Sequence, residues 1–418
     1  MTTKAKIFAI GAGGDGIADI ENSNGQMEKV FVPFTLPGEE VTLAVNGTRA
    51  DVMAVLTPSP ERTVPVCKHF MQCGGCAMQH WQAAPYRAWK VANVGAALNA
   101  VGIDAPMADL IISPPASRRR AVFTATMASG KLVFGFNRMM SHSVEPIEEC
   151  AVVVPAIVAA LPALRSISAQ LSTLAKGAFS LTVTTTETGL DLRADKVKQP
   201  DEALRRALVN SVLKHGFARL AIGDEIIVEA RPPCVTFGDV VVSPPAGGFL
   251  QATIEAEHAM QAIVGGHLEG AKKIADLYCG SGTFALPLAR RATVHAVESE
   301  GAALNALDKA WRNATGLGLK MRTLTTEKRD LAVRPLMTKE LDKFDAVVID
   351  PPRAGAETQM KQLAKSTVKR IAAVSCNPQT LARDLRILID GGYKIASITP
   401  IDQFLWTPHV EVVVLLRR

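Results

Sequence analysis

The sequence predicts a doubly wound α/β domain over its carboxyl-terminal part, preceded by a small β-barrel and a mixed α/β segment. Three observations carry this. From Lys273 onward, short apolar runs of strand length alternate with helical stretches, as in a parallel sheet covered on both faces. Near the amino terminus, brief runs alternate apolar and polar positions between glycine turns, as the strands of a small barrel do. Breaks at Pro58-Ser59-Pro60 and Pro244-Pro245-Ala246-Gly247-Gly248 separate the parts. The expected domains are 1–60, 61–247 and 248–418, in keeping with the two or three that 418 residues allow.

In the first domain the strand candidates are Lys6–Ile10, Lys29–Val32, Val41–Val45 and Asp51–Val55. Between the first two lies Gly11-Ala12-Gly13-Gly14-Asp15-Gly16, which fits the dinucleotide-binding glycine pattern to the letter. That mechanism needs a helix opening at the third glycine, so that its amino terminus can hold a pyrophosphate. Here Ile17 to Glu21 is short and runs into Asn22-Ser23-Asn24-Gly25, so a β-turn is expected instead.

The central segment holds the longest apolar stretch, Ala151 to Leu164, which is too short to span a bilayer and carries Pro155 and Pro162. It is read as core helix or strand. No signal-peptide pattern opens the chain. Seven cysteines without a secretory signal favour metal or catalytic duty over disulfides, and a reducing cytoplasm as the compartment. A net charge of +6 is compatible with a polyanionic partner without demanding one.

In the last domain the strand candidates are Lys273–Tyr278, Thr293–Glu298, Met321–Thr325, Asp345–Asp350, Ile371–Ser375, Tyr393–Ile398 and Val410–Leu416. Helical stretches separate the first six, and the seventh follows the sixth without one, so an antiparallel hairpin should end the sheet. Tyr278-Cys279-Gly280-Ser281-Gly282-Thr283 is a glycine turn at the carboxyl end of a strand, where open α/β sheets bind ligands. Ala285 stands where a third glycine would, which suits a compact nucleoside better than a dinucleotide. Glu298 ends the next strand, where a carboxylate can accept from both ribose hydroxyls, and Asp330, after the third, can hold an adenine amino group. Together these look like the S-adenosylmethionine site of class I methyltransferases.

Asp350-Pro351-Pro352-Arg353 is similar to the Asp/Asn-Pro-Pro-aromatic motif of exocyclic amine methyltransferases, with arginine in place of the stacking aromatic. An amine needs no cysteine nucleophile. Yet Cys376 ends an apolar run in Val374-Ser375-Cys376-Asn377-Pro378, and Glu411 follows in His409-Val410-Glu411. A cysteine in an apolar run is by default an inert packing residue. Carbon 5 of a pyrimidine, however, becomes nucleophilic only after a thiolate adds to carbon 6, and a base must then remove the carbon-5 proton. Cys376 and Glu411 are the groups for those two steps.

In this order the residues resemble the bacterial RNA (uracil-C5) methyltransferases that act on tRNA and 23S rRNA, over essentially the whole chain. The segment Ser375-Cys376-Asn377-Pro378, followed by Thr380-Leu381-Ala382-Arg383-Asp384, carries the likeness. The resemblance implies Cys376 as nucleophile and Glu411 as general base, with Gln251 helping to bind donor and base. It places Tyr278, Gly280, Thr283, Glu298, Asp330 and Asp350 at donor or pocket positions, and makes residues 1–60 a TRAM domain, an RNA-binding barrel. A monomer is expected, with RNA as partner and no membrane. The chain departs from the family's usual Phe-Pro-x-Thr at Phe404-Leu405-Trp406-Thr407, and has Thr283 and Thr253 where asparagine is common. These departures bear on substrate fit more than on reaction type.

Cys67, Cys73 and Cys76 form C-x5-C-x2-C, and Cys150 follows 74 positions later, in a three-plus-one layout unlike paired zinc hooks. Four thiolates suit zinc or an iron–sulfur cluster. The layout matches the [4Fe–4S] site of the family's 23S rRNA enzymes, which the tRNA enzymes typically lack, and this favours 23S rRNA as substrate over tRNA. His69 and His80 could be zinc ligands but are read rather as surface residues. Cys279 is read as packing, although some cytosine-C5 enzymes use two cysteines, and Cys234 has no evident partner. Arg118-Arg119-Arg120 reads either as a solvated turn or as a phosphate-binding run.

Overall fold

The structure, a computed structural model, describes residues 2–21 and 24–418. Strands Thr2–Ile10, Gly16–Glu21, Met27–Val32, Glu40–Asn46 and Arg49–Thr57 close into a barrel in the order first, second, third, fifth, fourth. Alternation decides which side chains fill it: Ile7, Ala18, Val30, Val32, Val41 and Leu43 point inward and are fully buried. The glycine-rich stretch is the turn between the first two strands, as expected. A Cβ on Gly16 would stand 2.1 Å from Thr35 Oγ1, so barrel packing, not a pyrophosphate, accounts for that glycine. Asn22 and Ser23 of the following turn lie outside the described residues.

The central segment folds around a seven-stranded sheet in the order Glu225–Glu229, Arg219–Ile222, Gly189–Asp195, Phe179–Thr186, Arg120–Ala128, Lys131–Asn137, Val144–Pro146. Phe123, Phe134, Phe179 and Leu192 pack against helices Leu161–Ser172 and Glu202–Lys214. The apolar stretch from Ala151 becomes helical from Pro155, and both its prolines lie in the first turn of a helix, where no amide hydrogen is missed.

The catalytic-type sheet has eight strands in the order Leu324–Lys328, Thr293–Glu298, Lys273–Leu277, Ala346–Ile349, Arg370–Ser375, Glu411–Arg417, Lys394–Asp402, Ile111–Ile112. The first five are parallel, and Glu411–Arg417 runs antiparallel to both neighbours. The expected antiparallel hairpin is present, with Glu411–Arg417 next to Arg370–Ser375 and Ile111–Ile112 added beyond Lys394–Asp402. One expectation is corrected: the third strand starts at Leu324, not Met321. Residues before Leu324 are drawn off the sheet: Arg322 N–H donates to Ala289 O (2.7 Å) and Trp311 Nε1 donates to Arg322 O (3.0 Å).

Chain breaks also misplace some of the core. Helix Ala83–Asn99 and strand Ile111–Ile112 belong to this sheet's layer, with Val94, Leu98 and Ile103 packed among Ile349, Leu381 and Val410. On the other face the hairpin Val235–Phe237 and Val240–Val242 packs with Leu250, Val264 and Leu286. A sheet face and edge must be covered, and segments remote in sequence do it here. Among the described residues, no helix is long and apolar enough to cross a membrane.

Candidate active site

The parallel strands end on one rim, and the turns there carry the candidate residues. After Lys273–Leu277 the backbone enters the left-handed region at Tyr278 (φ 61°), Gly280 (φ 54°) and Gly282 (φ 102°). A Cβ at Gly282 would stand 2.4 Å from Leu307 Cδ1, so only glycine lets the turn pass under the next helix. The bulky Tyr278 held at positive φ is local strain of the kind that clusters at ligand sites. Burial pushes its hydroxyl up to about 12. Glu298, one strand over, accepts from Gly280 N–H (3.1 Å) with Oε2 and from Ser299 and Glu300 amides with Oε1. Thr283 is buried at the end of the turn, and exposed Asp330 follows the next strand. These groups shape an open cradle at a strand end, which fits a nucleoside-type methyl donor.

Register then brings Cys376, Glu411 and Asp350 to one end of the sheet. The last pair between Arg370–Ser375 and Glu411–Arg417 is Ser375 with Val412, so one step further Cys376 and Glu411 face each other across the sheet end. Asp350 follows Ile349, which pairs with Leu277 on one side and Ala373 on the other. Asn377 caps helix Pro378–Asp390 through Gln379 N–H (3.1 Å) and donates to Arg353 O (3.1 Å), tying the cysteine turn to the Asp-Pro-Pro-Arg turn. Gln251 donates to Asp350 Oδ2 (3.0 Å).

Electrostatics at this rim oppose ionisation. Burial, then the charges of Glu411 and Asp350, push the Cys376 thiol up to about 11. Burial raises Asp350 to about 7, against the hydrogen bond from Gln251. Glu411, 3% exposed, is held well above the usual carboxylate range by burial and by Asp350, with Gln403 acting against both. The two buried carboxyls titrate as a pair, and a thiol lies beside them.

Cys67, Cys73, Cys76 and Cys150, all free thiols, line one cavity of about 820 Å³. Its other walls include Gly13 and Arg49 of the barrel and Phe404, Thr407 and His409 of the loop before Glu411. Burial raises Cys67, pushes Cys73 up to about 11 and Cys76 to about 12, and neighbouring thiols add to each shift. Among the described residues, no group of three or more His, Cys, Asp and Glu side chains is arranged to hold a metal ion.

Three readings are corrected here. His69 and His80 are buried, not surface residues. His69 Nδ1 lies 3.3 Å from Glu145 Oε1, and His80 packs against Phe34 and Phe70, burial lowering it to about 4. Arg119 is neither solvated nor free for phosphate: it is buried, ion-paired with Glu257, and donates to Gln251 O (3.0 Å). Arg118 and Arg120 do line the cavity. Cys279 is buried, and Cys234 Sγ lies 3.3 Å from Pro232 O.

Comparison with known proteins decides the family. Residues 246–418 match the family profile described as tRNA (Uracil-5-)-methyltransferase. The whole chain is 51% identical to an uncharacterized RNA methyltransferase of Brucella suis, over 98% of that protein. It is 30% identical to the 23S rRNA (uracil(1939)-C(5))-methyltransferase of Pectobacterium atrosepticum, covering 96% of this chain and 90% of that one. The chain belongs to the RNA (uracil-C5) methyltransferase family. Its fold is shared, at a TM-score of 0.74 and 21% identity over 99% of both chains, with the Pyrococcus abyssi tRNA (uracil-54, C5)-methyltransferase solved with S-adenosyl-L-homocysteine.

Two residues of this RNA (uracil-C5) methyltransferase escaped sequence reasoning. Asp276, fully buried beneath the glycine turn, is held far above the usual range by burial and then by Asp350. Its signal was an acid inside an apolar strand. Gln403, 3% exposed, touches both Gln251 and Glu411, and nothing in its local sequence marks it.

Proposed function

We propose that this methyltransferase adds a methyl group to carbon 5 of a uridine in 23S rRNA through a covalent Cys376 adduct. The facing of Cys376 and Glu411 across the sheet end, beside the glycine turn, carries the reading. When bound at Tyr278, Gly280, Thr283, Glu298 and Asp330, S-adenosylmethionine supplies an electrophilic methyl group. Cys376 releases its proton to solvent and adds as the thiolate to carbon 6 of a uridine turned out of its stack, the 5,6 double-bond electrons moving into an enolate that makes carbon 5 nucleophilic. Carbon 5 takes the methyl group, and the donor's sulfonium leaves as the neutral thioether S-adenosyl-L-homocysteine. Glu411 then removes the carbon-5 proton, and the electrons of that bond reform the 5,6 double bond and expel the Cys376 thiolate. Gln251 and Asp350, hydrogen-bonded to each other, are placed to orient the uracil ring.

The barrel is read as a TRAM-like RNA-binding domain, and the four cavity cysteines as ligands of a [4Fe–4S] cluster. Four free thiols on the wall of one cavity, in a three-plus-one sequence layout, suit such a multinuclear group. Methyl transfer needs no electron, so its task is structural: Ala77 and Met78, just after Cys76, donate to Trp406 O in the base-bearing loop (2.9 and 3.1 Å). The four cysteines and the Pectobacterium relative favour ribosomal RNA. The family profile and the Pyrococcus fold leave tRNA as the second reading. Mapping of 5-methyluridine by mass spectrometry in a deletion strain tests this: loss from 23S rRNA alone is expected, and loss from tRNA alone would reverse the choice.

A further inference from the structure

We infer that Gln403 is the positioning residue of the base, fixing Glu411 and Gln251 in one hydrogen-bond polarity. This rests on the reading of Glu411 as the group that takes the carbon-5 proton. A backbone N–H can only donate, and that of Ala252 donates to Gln403 Oε1 (2.8 Å). This settles which end of the amide is which. Nε2 must therefore face the other way, where it donates to Glu411 Oε2 (2.7 Å) and Gln251 Oε1 (2.9 Å). With its oxygen so engaged, Gln251 presents its own Nε2 to Asp350 Oδ2 (3.0 Å). One backbone hydrogen thus orders a chain in which each carboxylate receives an N–H.

Both anchors of Gln403 are rigid. On the Ala252 side, Arg119 N–H donates to Ala252 O (2.9 Å) and its Nε to Gln251 O (3.0 Å), while Thr253 caps helix Ile254–His267. On its own side Gln403 directly follows Asp402, which is buried and ion-paired with Lys90. Among the described residues, Gln403 is the one hydrogen-bond donor to the Glu411 side chain. Without it, two buried carboxyls would face each other with less to hold the second negative charge, and one proton would stay on the pair. Adduct formation by Cys376 needs no base at carbon 5, whereas release of the product does. The two steps separate this role from general structural support.

The experiment follows single turnovers of wild type and Gln403→Met with RNA and S-adenosylmethionine across pH. In Gln403→Met, release of 5-methyluridine should slow by about 10-fold or more, as expected for a lost hydrogen bond to a charged group. The methylated adduct should accumulate, and the acid limb of the release rate should move to higher pH. Donor affinity by calorimetry should stay near wild type, which verifies the fold. Release at the wild-type rate with an unmoved limb overturns the proposal, as does slower release with neither adduct nor shift. Should Gln403→Met not fold, Gln403→Glu serves: its new carboxyl donates only when protonated, so release should fall as pH rises, and a wild-type rise overturns the proposal. If wild type itself forms neither adduct nor 5-methyluridine, the uridine reading fails instead, and this is seen before any variant is made.

Discussion

Cys376 sits just before the amino terminus of helix Pro378–Asp390, a place that favours a thiolate, yet burial and two carboxyls push its thiol up to about 11. The resting thiol is therefore protonated at neutral pH, which protects it from adventitious chemistry. In the proposed mechanism both it and Glu411 act only when deprotonated, and both are shifted upward. The sign follows: lowering pH protonates both, so activity should climb from about pH 6 to about pH 9 without a neutral optimum. A pH profile of kcat/KM checks this, and a flat or falling profile would refute it. At this scale the sequence was readable where a residue type is rare in its setting, as with the cysteine and acids at strand ends. Gln403 was not, because an amide's role depends on partners at Gln251, Ala252 and Glu411, which only the fold assembles.

The element that sets Glu411 in place is the loop between Lys394–Asp402 and Glu411–Arg417, and helix Ala83–Asn99 latches it. That helix buries Tyr86, Lys90, Val94 and Leu98, one residue per turn along a single stripe. Lys90 is fully buried; it is ion-paired with Asp402 and donates to Phe404 O (3.1 Å) and His409 O (2.7 Å). Tyr86 adds a bond to Asp402 (2.8 Å) and accepts from Trp406 N–H (2.8 Å). Lys90→Met should cost roughly 3 to 5 kcal/mol by stranding a buried carboxylate. Pairing it with Asp402→Leu should recover most of the loss, and thermal melts of the single and double variants measure both. Seven of this sheet's eight strands were legible from the sequence, all but Ile111–Ile112. The latch was not, because a lysine inside an apolar stripe reads as an exposed residue until its partners, more than 300 positions away, are folded against it.

Over the whole molecule, three regions distant in sequence converge on the loop before Glu411. The barrel's glycine turn lies against it, with a Cβ on Gly14 placed 3.4 Å from Pro408 Cβ. The cysteine segment hydrogen-bonds to Trp406, and Arg118 lies 6.0 Å from the Phe404 ring centroid. If the four cysteines hold iron, Cys150→Ser should lower iron content and raise amide exchange in residues 402–411 while leaving exchange in the barrel strands unchanged. Mass-resolved hydrogen exchange with iron analysis reads both. That 83–112 and 235–242 pack on the eight-stranded sheet was not visible in the sequence.

The covalent intermediate is the sharpest point of contact with experiment. Glu411→Gln, incubated with substrate RNA and S-adenosylmethionine and analysed by denaturing electrophoresis and peptide mass mapping, should accumulate a methylated RNA adduct on Cys376, and Cys376→Ala should form none. An adduct mapped to another residue such as Cys279, or full formation of 5-methyluridine by Cys376→Ala, would contradict the assignment of nucleophile and base.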